Sequence, residues 1–316
     1  MNQRITRRRF GQLAIASTAV AGISTFASRL MAQTPPPVLV GVNLGRQASS
    51  ATTPGATTVS SRVFVQTLAL RTGEIQERAN LQVQAPATTQ PQSRTNLSSA
   101  RTAQPLQPYA QLGGLTSMAD GTLILSSNPV GSGQQANPSR LTTIVGSSSQ
   151  TIKVSGLDPQ NALWSLLVTN DGSLLGLVAN KNGKPPYRLA NVNAQTGQVS
   201  FINFTLPSNE WFSSLTQCPN GNIYLLSAGF GGGTSLVQLD LGQGQVIRLP
   251  QRLRLNNVDW NTGLNSLACS AEGQLYALGN PNKYDSRLAL YSVDLSTGAL
   301  TNQGNVDYRK ITFSRS

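Results

Sequence analysis

A chain of 316 residues with no histidine and only two cysteines rules out several chemistries at once. Ser-His-Asp and Cys-His catalysis, histidine-ligated zinc, copper or haem, and the histidine base of a quinone-dependent dehydrogenase all need side chains that are missing. The formal charge of +12 invites a nucleic-acid reading, but such a groove interleaves basic residues with stacking aromatics, and the sequence does not.

The first element in chain order is a leader. Thr6-Arg7-Arg8-Arg9-Phe10 precedes an apolar stretch from about Gly11 to Phe26, and Leu30-Met31-Ala32 offers small residues for cleavage. The pattern resembles a twin-arginine signal peptide spanning 1–32, which implies export to the periplasm or cell exterior with a mature start near Gln33. An uncleaved anchor is the alternative, although the apolar stretch is short and interrupted by Ser and Thr. No later segment is apolar enough to span a bilayer. Five of the 24 basic residues lie in this leader, so the chain from Gln33 carries 19 basic against 12 acidic groups, a net +7. Arg248, Arg252 and Arg254 form its tightest basic cluster, which reads as a solvated outer edge.

Beyond the leader the chain repeats itself. GLTSMADGTLIL (114–125), SLLVTNDGSLLGLV (165–178), SLTQCPNGNIYLL (214–226) and SLACSAEGQLYAL (266–278) share one phrase, and their turn glycines 121, 172, 221 and 273 are 51, 49 and 52 residues apart. A second phrase recurs as FVQTLALRTGEI (64–75), YRLANVNAQTGQVS (187–200), SLVQLDLGQGQVIRL (235–249) and LALYSVDLSTGALT (288–301). Each unit therefore reads as four short antiparallel strands with two glycine turns, and a period near 50 points to a ring or array of small sheets. Two stretches break the period: 45–60, rich in Ser, Thr and Gly, and 79–108, rich in Gln, Thr, Pro, Ser and Ala. Both are read as mobile insertions in a single domain covering 33–316.

The termini close the ring. PVLVGVNL (37–44) looks like the second strand of a unit that lacks its first, and NVDYRKITFS (305–314) looks like NVDWNTGLNS (257–266), which leads into a first strand. Joining them gives an all-β, five-bladed β-propeller whose C-terminal strand completes the N-terminal blade and leaves no free sheet edge. The blade phrases, Asp-Gly-x-Leu-Tyr and Tyr-x-Val-Asp-x-x-Thr-Gly, resemble those of gluconolactonase-like and quinoprotein-like propellers over about residues 37–316. That resemblance implies architecture, not activity.

Cys218 and Cys269 lie three and four positions before their turn glycines, so alternation aims them at opposite faces of consecutive blades. One parity would bring them together and the other would separate them; buried free thiols are the expectation. Asp120, Asp171, Glu272, Asp240 and Asp294 adjoin turns and are read as satisfying turn backbone. Asp158, Asp259 and Asp307 lie instead in the links that lead into first strands, beside Tyr109, Trp164, Trp211, Trp260 and Tyr308. Together with Asn161, Glu210 and Asn261 they form the candidate ligand-binding mouth of the channel, because flat rings and amides suit a sugar or peptide; the opposing reading makes the rings interblade packing. No catalytic residue, metal site or cofactor is assigned. The expected function is a non-catalytic exported propeller that binds a glycan, a peptide or an envelope protein, with no nucleic acid among its partners. The alternative is a carboxylate enzyme, a glycoside hydrolase or calcium-assisted lactonase, built from Asp158, Glu210, Asp259 and Asp307.

Overall fold

The computed structural model describes residues 38–48, 59–70, 72–83, 110–129, 138–229, 232–281 and 288–315. The leader, Tyr109 and the central part of each insertion lie outside them. Every regular element described is a strand. Among the described residues no helix is long and apolar enough to cross a membrane.

Five sheets follow one another along the chain. The first blade contains β1 (Val38–Ala48), β2 (Val59–Ala69) and β3 (Ile75–Val83). β4 (Ala110–Ser117), β5 (Leu123–Pro129), β6 (Arg140–Val145) and β7 (Ser148–Lys153) make the second. The third is β8 (Asn161–Val168), β9 (Leu174–Asn180), β10 (Arg188–Val192) and β11 (Val199–Thr205). The fourth is β12 (Glu210–Gln217), β13 (Ile223–Gly229), β14 (Thr234–Asp240) and β15 (Gln245–Arg252). A short hairpin, β16 (Arg254–Leu255) and β17 (Val258–Asp259), precedes the fifth blade, β18 (Leu264–Cys269), β19 (Leu275–Gly279), β20 (Leu288–Val293) and β21 (Ala299–Val306). The last strand, β22 (Lys310–Phe313), returns to the first blade and pairs with β1 in the register Leu39 to Phe313 and Val42 to Lys310. The chain is thus a closed five-bladed propeller, as its repeat phrases predict.

Alternation along each strand explains why the ring holds. Leu175, Leu177 and Ala179 of β9 face the fourth blade, while Leu174 and Val178 face the second. Five buried apolar clusters result, one for each junction around the ring, including Leu39, Ile311 and Phe313 against Ala268, Leu278 and Leu290 at the closing junction. Tyr308 lies over Gly41, where any side chain would overlap its ring. The glycine of PVLVGV is therefore a packing requirement of the closing strand.

The turns behave as their residue types dictate. Asp120 Oδ1 accepts from the Thr122 amide at 2.9 Å, and Asp240 Oδ1 from the Gln243 amide at 2.9 Å. Asp294 accepts from the hydroxyls of Ser296 and Thr297 and from the Ser296 amide, which holds its carboxyl down at about 2. Two links also dock on the blade they are about to start. The Ser155 amide donates to Gly197 O and the Arg254 amide to Gly298 O, so β16 runs parallel to β21 and extends the fifth sheet to six strands. At Gly298, with φ +74°, a Cβ would both strain the backbone and overlap the Arg252 carbonyl.

Two expectations need correction. β3 continues through Val83 with Ala79 and Leu81 buried, because ANLQV keeps an alternating apolar face, so the second insertion starts later than residue 79. Likewise β1 and β2 stay paired out to Ala48 and Val59, which shortens the 45–60 insertion from both ends. The larger correction concerns the cysteines: Cys218 and Cys269 form a disulfide with Cα atoms 5.2 Å apart. Tyr224 and Leu226, at Cys218's even positions, share its face toward the fifth blade, so the parity that brings the two thiols together is the one adopted.

Candidate functional site

The innermost strands β22, β4, β8, β12 and β18 surround the ring axis with one unpaired edge each, and edge amides need acceptors. The serine of the repeated Ser-Leu phrase supplies them. Ser165 Oγ accepts from the Leu215 amide (2.8 Å), Ser214 Oγ from the Leu267 amide (2.9 Å) and Ser266 Oγ from the Ile311 amide (3.1 Å). Three of the five first strands, β12, β18 and β22, are thereby clasped by the one before them, while the second blade has Gly114 at the serine's place. In the first blade the register puts Lys310 at the serine's place, before Ile311. Its Nζ donates to the Asn265 carbonyl of the fifth blade at 2.7 Å. The inner strands enclose this ammonium, and burial pushes it down to about 8 from 10.5. Its folded value lies below its unfolded one, so the charge destabilises the fold at neutral pH, and that cost fades as pH rises from about 8 to 10.5.

Two faces of the ring bound the axis: a link face, where each chain enters an inner strand, and a hairpin face, where each inner strand turns into the second. The sequence places its candidate residues on the link face, and their surroundings differ sharply. Trp260 is 3% exposed and meets Tyr291 edge-on at 5.2 Å, and Tyr308 is 2% exposed. Both are packing groups between blades that present no surface to a ligand. The hairpin β16–β17 folds Trp260 back under the link, a detail of link length that the repeat phrase does not carry. Trp164 is half-buried: its Nε1 donates to Asn180 O at 2.8 Å and its ring covers Gly183. Trp211 differs, with 48% of its surface exposed. Its neighbour Phe212 packs edge-on against Tyr187 of the third blade at 5.5 Å, so alternation turns the indole toward the fifth-blade side. Trp211 pairs with Ala228 at the foot of the β13–β14 connection, whose Gly232 and Gly233 adjoin Asn261 and Arg252.

The carboxylates are separately engaged. Glu210 is buried, accepts from Ser227 Oγ at 2.6 Å and forms a two-point ion pair with Arg248. The Arg248 guanidinium holds its carboxyl below the ordinary range despite burial. Asp259 is gripped by Arg254 at 2.9 Å and Arg252 at 3.3 Å. The basic cluster read as a solvated outer edge keeps its side chains about half exposed while pairing with Glu210 and Asp259. Asp158 is exposed and caps its own turn, accepting from the Gln160 amide at 2.8 Å, while Asn161 starts β8 opposite Asn180. Asp307 is exposed beside Tyr308. Among the described residues no three His, Cys, Asp or Glu side chains stand close enough to hold a metal.

The hairpin face holds something the sequence reading missed. A cavity of about 250 Å³ lies on the axis there, floored by Leu115, Leu166, Leu215 and Leu267, the leucines of the repeated phrase. Thr116, Asn170, Thr216, Gln217 and Thr312 line it, with Arg315 at its mouth. All five inner strands contribute.

No family model matches the chain, and no curated protein does. Solved structures do resemble it in fold. One is a protein of unknown function from Bacteroides caccae, 14% identical, covering 89% of this chain and all of its own, with a TM-score of 0.43. Another is the periplasmic gluconolactonase of Pseudomonas aeruginosa, 12% identical, over 87% of this chain and 85% of that one, TM-score 0.43. An engineered GH43 glycoside hydrolase with endo-xylanase and exo-arabinofuranosidase activity is 11% identical, over 83% of this chain and 50% of that one, TM-score 0.47. These likenesses extend to architecture alone. Enzymes and proteins of unknown function occur side by side among them, so function has to be argued from the side chains.

Proposed function

We propose that the chain is an exported, non-catalytic binding propeller that takes a glycan on the link face, at the edge between the fourth and fifth blades. The observation that carries this reading is Trp211. An indole left 48% exposed at the foot of a loop whose Gly232 and Gly233 adjoin Asn261 and Arg252 offers a stacking face on an edge that also carries hydrogen-bonding groups, the combination a sugar ring needs. Acid–base chemistry receives no comparable support. A general acid must hold a proton near its working pH, whereas the Arg248 guanidinium keeps the Glu210 carboxyl below the ordinary range.

The test is a thermal-shift screen of the protein from Gln33 onward against xylo-, cello- and chito-oligosaccharides and peptidoglycan fragments, since a ligand that binds only the folded state raises its melting temperature. For the ligand found, Trp211→Ala should cost about 1 to 3 kcal/mol of affinity, tenfold or more, with little change in melting temperature. Trp260→Ala should do the reverse, lowering stability by about 3 kcal/mol or more as an interblade cavity opens. Unchanged affinity in Trp211→Ala, or no shift with any of the sugars, contradicts the reading.

Export by the twin-arginine route belongs to the same proposal. The disulfide between the fourth and fifth blades supports it independently of the leader, because such bonds persist in oxidising compartments. Replacing Arg7 and Arg8 with Lys should retain the protein in the cytoplasm, as judged by cell fractionation; undiminished export of that variant would refute the route.

A further inference from the structure

The axial cavity on the hairpin face is apolar at its floor and nearly uncharged in its walls. Leu115, Leu166, Leu215 and Leu267 close it below, and Cys269, held in the disulfide to Cys218, forms part of one side. Several polar groups of the walls are already engaged with backbone. Gln217 accepts from the Asn170 amide at 2.7 Å and donates to the Gly221 carbonyl at 2.8 Å. Thr116 Oγ1 accepts from the Val168 amide and Ser270 Oγ from the Gln274 amide. Water against the leucine floor finds no hydrogen-bond partner there, so it is held poorly and an apolar group gains by displacing it.

One charge faces this space. Arg315, in the tail beyond β22, stands at the mouth, and no other cation and no carboxylate is among the lining residues. Its Nη1 donates to the Thr169 carbonyl of the third blade at 3.4 Å, a long contact for a charged donor. Arg248, Arg252 and Arg254 each have an acid partner, whereas Arg315 takes part in no salt bridge among the described residues. The protein around it removes enough hydration to push its ionisation down. A carboxylate suits such a guanidinium, because its two oxygens accept two of the five N–H donors in parallel.

From this pairing of a leucine floor with an unmatched guanidinium we infer that the hairpin-face cavity is a second binding site, for an aliphatic monocarboxylate whose chain lies on the leucines and whose charge meets Arg315. At about 30 Å³ for each water-sized group, a cavity of about 250 Å³ holds a chain of roughly eight carbons. The floor ends the cavity, so chains much longer than that should gain nothing. The site lies on the opposite face from the link-face surface proposed above and does not depend on the glycan reading.

The experiment is isothermal titration of the full chain from Gln33 with butanoate, hexanoate and octanoate, with 1-hexanol as the uncharged counterpart and glucuronate as the hydroxylated one. Affinity should rise about three- to fourfold with each added methylene up to octanoate, and hexanoate should bind at least about tenfold more tightly than hexanol or glucuronate. Arg315→Gln changes an exposed residue of the tail and should weaken octanoate binding about tenfold with the melting temperature unchanged. Ala271→Trp, in an exposed turn on the cavity wall, fills the mouth and should remove the binding while the fold survives. Trp211→Ala should bind octanoate as the unaltered protein does. The inference is overturned if octanoate does not bind, if affinity is indifferent to chain length, if hexanol or glucuronate binds as well as hexanoate, if neither cavity variant loses affinity, or if Trp211→Ala abolishes the binding.

Discussion

Removal of residues 309–316 should leave a chain that no longer folds cooperatively at ordinary temperatures. The deleted strand buries Ile311 and Phe313 in the closing junction, worth about 1.5 to 3 kcal/mol each. It also supplies the ladder against Leu39–Val42 and the Ile311 amide that Ser266 accepts. Together these approach the whole stability of a typical domain, about 5 to 15 kcal/mol. The bared edge of β1, with Leu39, Val40 and Val42 beside it, should make the truncated protein aggregate. Circular dichroism melts and sedimentation of the two forms decide the point. A control lacking only Arg315 and Ser316 should melt within a few degrees of the intact protein. If the longer deletion also did so, the C-terminal strand would not be what closes the ring.

Loss of the Cys218–Cys269 bond should have the next largest effect. The two cysteines are 51 residues apart, and closing a loop of that length in the unfolded chain corresponds to about 4 kcal/mol on the chain-entropy account. Denaturant unfolding of Cys218→Ser/Cys269→Ser should therefore show a clearly lower midpoint than the unaltered oxidised protein, with a similar slope. Superimposable curves would mean that the bond adds nothing to the stability of the junction between the fourth and fifth blades.

The repeat makes the architecture readable in the sequence itself. Glycine turns at fixed offsets from an apolar phrase set the strands, and a second strand without a first at one end matched a first strand without a second at the other. What one sequence could not supply lies where the repeat loosens. Trp211, Trp260 and Tyr308 occupy similar phrases, yet the number of residues between each aromatic and its strand differs. The β16–β17 hairpin buries Trp260 and the approach to Gly41 buries Tyr308, while Trp211 stays about half exposed. Cysteine parity allowed two outcomes, and only the direction in which β12 faces chooses between them. Lys310 was overlooked for a similar reason. The approach from Tyr308 to β22 is shorter than that from Trp260 to β18, so Lys-Ile does not line up visibly with Ser-Leu until pairing with β1 sets the register. A lysine standing before Ile311 was the available signal.

Amide hydrogen exchange measured along the closing strand tests the central claim, a ring completed by both ends of the chain, most directly. In a closed propeller the amides of Ile311 and Thr312, and those of Val40 and Val42 opposite, should be protected to the level of Leu215 and Leu267 in the interior blades, because all open only with the ring as a whole. Exchange of residues 310–313 at the rates of a fraying terminus, with the interior blades still protected, would contradict it.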